Sequence, residues 1–147
     1  MYGQEGKIID YSILKPKNQR LINLIEQSYG DSSLYPGEKS NIKIVTISLY
    51  RVVDTVKVGI GLCQQLFTDL ETCDFYHANY CGAFYHKDKL ILVRVGNDKE
   101  IFNEFFEKSS GVLKYNFLFG YNDFEFVYYT YINNKFVFDS RTEKIRY

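Results

Sequence analysis

The chain has 147 residues, a length that predicts one domain over 1–147 and that suffices to bury roughly 68–70% of the surface an unfolded chain exposes. Its 18 basic and 18 acidic side chains give no net charge, which disfavours the positive field that a nonspecific nucleic-acid binder needs. No apolar stretch approaches the roughly 18 residues of a membrane-spanning helix, so a soluble protein without a membrane partner is predicted.

The cysteine content and the first residues predict the cellular compartment. Three cysteines are an odd number in a chain that needs no disulfide framework. The opening MYGQEGK also lacks the basic and then apolar pattern of a secretory signal. Both observations predict a cytoplasmic protein with reduced thiols.

A strand and a helix are predicted at the start of the chain. Residues 7–14 have strand-like composition. Pro16 then precedes a stretch whose apolar residues recur at helical spacing as far as Gly30, which predicts a helix over about 16–29. The next residues, 31–41, gather Ser, Pro, Gly and Asp and are predicted to form a loop.

Two β-branched, alternating segments, 42–50 and 56–63, are predicted to form strands. In the second of them Gly59 and Gly61 lie on the same face, which indicates that another backbone or a large ring packs closely there. The residues that follow, 64–71, are compatible with a short helix.

The segment 73–89, CDFYHANYCGAFYHKDK, contains two of the three cysteines and both histidines. Its spacing makes Cys73, His77, Cys81 and His86 candidate zinc ligands, although the tight C-x2-C turn of a zinc knuckle is missing. In a strand, successive candidates on one face stand about 13 Å apart at ~3.3 Å per residue, whereas zinc–ligand bonds are ~2.0–2.3 Å long. We therefore predict a strand with structural thiols and imidazoles, and no bound metal or other cofactor.

A catalytic thiol is the alternative interpretation of this segment, because a nucleophilic Cys needs only a base within hydrogen-bonding distance. In a small enzyme of this kind Cys81 or Cys73 would act with His86 or His77. Against it, the sequence contains no G-x-S-x-G, P-loop, H-E-x-x-H or G-x-G-x-x-G motif, and free cysteines are commonly buried. The sequence therefore favours a protein without catalytic activity.

A hairpin and a second helix follow. Residues 83–86 and 90–95 are strand-like and flank the short charged turn KDK. The second helix is predicted over about 98–108, with Asn97 as its N-cap and Glu100 three residues later.

Three aromatic-rich strands are predicted near the end of the chain, over 112–119, 123–132 and 135–139. The Asn133-Asn134 pair can take the positive φ angles of a two-residue hairpin turn. Because most neighbouring strands are joined by hairpins, the pattern predicts a single α+β domain with a mainly antiparallel sheet of roughly six to eight strands and two main helices.

The strand predicted over 123–132 has rings on both faces. A sheet with one wet face alternates apolar and polar residues, so a second ring-bearing face predicts either a covering helix or a partner surface. Because tyrosine is enriched in protein interfaces, Tyr129 and Tyr131 are predicted to bind a partner, and packing beneath a helix is the alternative.

A neutral, aromatic-rich domain without catalytic motifs is typical of a protein-interaction module. We expect its partner to be another protein, and the profile best fits a bacterial immunity or antitoxin-type protein, or an inhibitor, that neutralises a toxin. A Cys/His enzyme is the first alternative. Single-stranded nucleic-acid binding through the aromatic sheet is the second alternative. It is disfavoured because strand 123–132 contains Glu125 and no lysine or arginine, although residues 141–146 form a modest basic patch. The sequence does not determine the oligomeric state.

Overall fold

The structure is a computed structural model that describes residues 6–30, 42–63, 79–118, 123–142 and 145–146. Within these residues nine strands form one sheet and two helices pack against it, which confirms the predicted α+β class with a mainly antiparallel sheet and two main helices. The elements are β1 (Gly6–Pro16), α1 (Gln19–Gly30), β2 (Ile44–Val52), β3 (Thr55–Cys63), β4 (Gly82–His86), β5 (Lys89–Arg94), α2 (Lys99–Phe105), β6 (Phe106–Leu118), β7 (Asp123–Ile132), β8 (Lys135–Arg141) and β9 (Ile145–Arg146).

The sheet has the strand order β6-β1-β4-β5-β2-β3-β7-β8, and the two-residue β9 also pairs with β7. Most neighbours are antiparallel because β2–β3, β4–β5 and β7–β8 are hairpins with two-residue turns. The pairs β1–β4 and β2–β5 are parallel. As predicted, Asn133 and Asn134 both have positive φ angles, of 51° and 59°.

Helix α1 begins later than the predicted residue 16 because the chain before it is still part of the sheet. Pro16 pairs with Phe106 of β6, and the Lys17 N–H donates to the Phe105 carbonyl at 2.9 Å. Asn18 then caps the helix, since its Oδ1 accepts two N–H groups of the first turn at 2.9 and 3.3 Å. The buried stripe of α1 contains Leu21, Leu24, Ile25 and Ser28.

Helix α2 is shorter than the predicted 98–108, and its N-cap is Asp98 rather than Asn97. The Asp98 Oδ1 accepts an N–H of the first turn at 3.1 Å. Phe106 leaves the helix with φ −141° and ψ 160° and starts β6. The Phe106 side chain is buried in the strand, and the apolar stripe of a longer helix would bury it as well. The spacing of apolar residues therefore does not reveal where this helix ends.

Both helices cover the same face of the sheet, which we call the helix face. The apolar core on this side joins α1 and α2 to the central strands, and each fully buried side chain stabilises the fold by about 1.5–3 kcal/mol. The core residues include Leu21, Ile25, Val45, Ile47, Val58, Ile60, Ile91, Val93, Phe105 and Val127.

The opposite side, which we call the outer face, is covered in part by side chains of β1 and β6. These pack against the central strands in a second apolar cluster. The cluster contains Ile9, Tyr11, Ile44, Cys63, Ala83, Leu90, Leu92, Leu113 and Phe117.

Two sequence predictions, the loop over 31–41 and the short helix over 64–71, lie outside the described residues. Neither α1 nor α2 is long and apolar enough to cross a membrane, and the described part of the chain has no other helix.

Candidate partner-binding surface

Tyr129 and Tyr131 lie on the helix face of β7. Tyr129 is 3% exposed, and its hydroxyl lies 3.2 Å from Ser28 Oγ in α1. Because Ser28 Oγ already donates to the Leu24 carbonyl at 2.8 Å, the Tyr129 hydroxyl is the donor in this contact. Tyr131 is half-buried, and its ring centroid lies 5.1 Å from that of Phe105. Tyr129 is thus packed beneath helix α1. The accessible surface of β7 lies on the outer face of the sheet.

Cys81 and His86 lie at opposite ends of β4, since Cys81 precedes its first residue and His86 is its last. The extended chain between them spans about 16 Å at ~3.3 Å per residue. His86 Nε2 instead lies 2.7 Å from Glu26 Oε1 in α1. The structure therefore does not bring this pair together for catalysis, while Cys73 and His77 lie outside the described residues.

Burial raises the pKa of both described thiols. Cys63 is almost completely buried in the outer-face cluster, and burial alone raises the pKa of its thiol. Burial is also the main cause that raises the pKa of Cys81, whose Sγ donates to the Val93 carbonyl at 3.4 Å. A raised pKa reduces the fraction of thiolate, which is the nucleophilic form. Neither environment therefore activates a cysteine.

No three His, Cys, Asp or Glu side chains among the described residues lie close enough to hold a metal ion. His86 belongs instead to a hydrogen-bonded cluster with Glu26 and Lys87, whose Nζ lies 3.0 Å from Glu26 Oε1. The hydrogen bond from His86, followed by that from Lys87, lowers the pKa of the Glu26 carboxyl. This cluster links α1 to the β4–β5 turn.

Four exposed apolar residues lie together where the β2–β3 and β7–β8 hairpins turn. Tyr50 and Val52 belong to the end of β2, Val53 to the turn that follows, and Ile132 to the end of β7. Their exposed fractions are 42%, 47%, 85% and 51%. The two turns are neighbours because β3 pairs with β7. We call these four residues the outer patch.

The turn that carries Val53 is strained and firmly held. Val53 has a φ angle of 56°, a region that hairpin turns normally fill with Gly, Asn or Asp, and such a conformation in a β-branched residue costs on the order of 1–3 kcal/mol. Arg51 Nε donates to Asp98 Oδ2 at 3.0 Å, and Arg51 Nη2 lies 3.6 Å from Glu100 Oε2. The hydrogen bond from Arg51 lowers the pKa of the Asp98 carboxyl. The outer patch is therefore fixed to the start of α2.

Two aromatic rings lie against glycines on the outer face, as the glycine pattern of β3 predicted. Gly59 pairs with Tyr128, and Gly61 pairs with Phe126. A Cβ atom at Gly59 would lie 3.3 Å from Tyr128 Cε1, and one at Gly61 would lie 3.0 Å from Phe126 Cε1. These contacts are tighter than those of ordinary side chains, so glycine at both positions lets the rings lie close to the sheet.

Two basic side chains accompany these rings on the outer face. Arg94 Nε donates to Ser48 Oγ at 3.2 Å. Lys57 Nζ donates to Thr130 Oγ1 at 2.7 Å and lies 3.4 Å from Asp139 Oδ2. Asp139 therefore offsets the charge of Lys57, while Arg94 contacts a neutral hydroxyl.

Glu125 lies on the helix face and is completely buried. Arg141 Nη1 donates to its Oε1, which compensates a carboxylate that would be costly to bury alone. Arg141 thus belongs to a buried ion pair instead of a free basic patch over 141–146. The side chains of Lys144 and Arg146 lie outside the described residues.

No protein-family model, no curated protein and no solved structure matches the chain. The chemistry of the outer face is therefore the basis for a functional proposal.

We expect Tyr129→Ser to lower the free energy of unfolding by about 3–5 kcal/mol, because it removes a buried ring. Tyr129→Phe keeps the ring and removes only the hydroxyl contact with Ser28, so its expected cost is about 0.5–1.5 kcal/mol. Urea denaturation measures both. Tyr85→Ser is the control, since Tyr85 is 53% exposed and its loss should change stability by no more than about 0.5 kcal/mol. A Tyr129→Ser variant as stable as the wild type would contradict the placement of this ring beneath α1.

We also expect slow alkylation of Cys63 and Cys81 at neutral pH, because burial raises the pKa of both thiols. The measurement is the rate of iodoacetamide labelling, by peptide mass spectrometry, in a Cys73→Ser background. The denatured protein gives the reference rate for unshielded thiols. Labelling of native Cys81 as fast as in the denatured protein would show an accessible, activated thiol and would restore the enzyme alternative.

Proposed function

We propose that this chain is a protein-interaction module that binds a partner protein through the outer patch. The observation that carries the proposal is Val53, the most exposed large apolar side chain in the described part of the chain, in a conformation that disfavours valine. Glycine or asparagine would relieve the strain of this turn and would expose no branched apolar group. A strained residue that is also exposed and apolar is better explained by binding than by folding.

The surroundings of the outer patch also fit a binding surface. Tyr50 adds a rigid ring with a polar tip, a side chain that is enriched in protein interfaces. Arg51 fixes the turn to α2 through two acidic side chains, so little conformational freedom is lost when a partner binds. The helix-face core holds the strands beneath the patch in place. The partner we propose is a protein that presents apolar side chains to this rigid surface.

Within this class we propose a bacterial toxin-neutralising immunity or antitoxin-type protein, or a related inhibitor. A protein of this kind acts by covering its target and needs a stable scaffold with one specific surface. The extensive helix-face core and the outer patch supply these two requirements. The partner would then be a toxin whose active surface the bound chain covers.

Single-stranded nucleic acid is the second candidate ligand, and the rings that lie on Gly59 and Gly61 favour it. Phe126 and Tyr128 could stack bases, with Arg94 beside them for phosphate groups. Glu125, whose negative charge disfavours this function in the sequence, lies on the helix face and not beside these rings. This candidate ranks second because the chain has no net positive charge.

Val53→Gly tests the protein-binding proposal and separates binding from folding. Glycine adopts positive φ without strain, so the unfolding midpoint should stay equal or rise. Loss of the exposed side chain should weaken binding of the native partner at least about tenfold, which corresponds to about 1.4 kcal/mol. The partner is first captured from the native host with the tagged wild-type chain and identified, and its affinity is then measured by calorimetry.

The matched control is Val112→Ser, which removes another exposed valine, on β6 at the far side of the sheet. This variant should bind like the wild type. If Val53→Gly binds the partner as tightly as the control does, the outer patch is not the binding surface. For the toxin class, expression of the partner alone should arrest growth, and co-expression of the wild-type chain, but not of Val53→Gly, should restore it. A harmless partner would remove the toxin class and leave the interaction module.

Tyr128→Ala distinguishes the second candidate. If the chain binds a fluorescent single-stranded RNA of mixed sequence, Tyr128→Ala should weaken this binding and Val53→Gly should not, because Tyr128, unlike Val53, offers a ring on which a base can stack. Failure of the wild-type chain to bind this RNA at low salt would eliminate the candidate.

A further inference from the structure

The two outermost strands of the sheet differ in how well their edges are protected. The register between β6 and β1 shifts between Ser12 and Leu14, and Gly111 of β6 has a φ angle of 100°. Irregularities of this kind in the middle of β6 disfavour its pairing with another strand. The register of β8 with β7 is regular from Lys135 to Phe138 and shifts only after Phe138, where Asp139 is the extra residue of a bulge. Among the described strands, β8 pairs only with β7.

The residues of β8 alternate between the two faces. Phe136 and Phe138 lie on the helix face, where their rings contact Tyr131 and Tyr129. Val137 is opposite Thr130 on the outer face. Val137 and Phe138 are 48% and 57% exposed, so this edge, which pairs with no other described strand, also presents apolar surface. An edge with these properties is a template for another strand.

We propose that two copies of this chain associate through β8, in an antiparallel register centred on Val137. In this register Val137 lies opposite Val137 of the second copy. Phe136 lies opposite Phe138, and Lys135 lies opposite Asp139, each pair occurring twice. Directly opposed residues in an antiparallel pair have Cβ atoms about 4.5–5.5 Å apart, so the apolar positions 136–138 meet apolar side chains. Lys135 meets Asp139, the bulged residue at which the regular stretch ends.

Neighbouring registers lack this complementarity. A centre at Phe138 would place Lys135 opposite Arg141 and Val137 opposite Asp139. A centre at Phe136 would place Phe138 opposite Asn134, a turn residue. The charge and apolar pattern of β8 thus selects one symmetric pairing.

Lys135 of one copy and Asp139 of the other can form an ion pair in this register. Asp139 accepts from Thr130 and lies near Lys57 through its Oδ2 atom, which leaves Oδ1 for a further donor. Lys135 is exposed and makes no ion pair with another residue in the described part of the chain. Lys135 of the second copy can therefore bind Asp139 without breaking these contacts.

Sedimentation velocity of the full chain, from low micromolar to submillimolar concentration, tests this proposal. The wild type should shift from monomer to dimer as its concentration rises. Lys135→Asp and Asp139→Lys each place like charges opposite one another at both ends of the pairing, so each should weaken self-association at least about tenfold. An equimolar mixture of the two variants places opposite charges at both ends and should restore a heterodimer.

Lys135→Asp changes a residue without a described partner, so its result does not depend on whether Asp139→Lys folds. Ile8→Ser, which removes an exposed apolar residue of β1, is the control and should associate like the wild type. A wild-type chain that remains monomeric throughout would overturn the proposal, as would a Lys135→Asp variant that dimerises unchanged. Val53→Gly should leave the dimer intact, because Val53 lies two strands away from β8, so the outcome is independent of the proposed binding function.

Discussion

The contact between α1 and the helix face of the sheet is the constraint on which the other features depend. Leu21, Leu24 and Ile25 bury their side chains completely or nearly so against this face. The bond from the Tyr129 hydroxyl to Ser28 adds a polar contact within the apolar layer, and a buried hydroxyl would be costly without it. Once α1 occupies this face, Tyr129 becomes a core residue and the opposite residues of β7 are left to the outer face.

The strands and helices could be predicted from the sequence because their patterns are local. The alternation in 56–63 and 123–132 and the Asn133-Asn134 pair each specify a structure from a few neighbouring residues. The face of β7 that meets a helix could not be predicted in this way, because rings occur on both sides of this strand. The end of α2 has no clear sequence signal for a related reason. The spacing of apolar residues would bury Phe106 in a longer helix, and Phe106 is also buried in the strand.

The candidate site was less predictable than the fold. Residue type alone points to Tyr129 and Tyr131, but their accessibility depends on which face of the sheet the helices cover. Val53 gives no sequence signal, because a single valine in a short turn has no periodic pattern. Its positive φ angle contradicts the preference of β-branched residues, and only the structure reveals this conflict. Disagreements between local preference and structure of this kind concentrate at functional sites.

The symmetry of the proposed dimer bears on what the outer patch could bind. The two-fold axis of this dimer passes through Val137 and is perpendicular to the sheet. The helix faces of both copies therefore lie on the same side of the joined sheet, and the outer faces lie on the other side. The two outer patches then lie on one side of a continuous sheet, separated by β8 of each copy. A partner with two equivalent surfaces could engage both patches, and the second contact would gain from the high effective concentration that the first creates. Self-association through β8 would in this way strengthen the binding of a symmetric partner without any new contact at the outer patch.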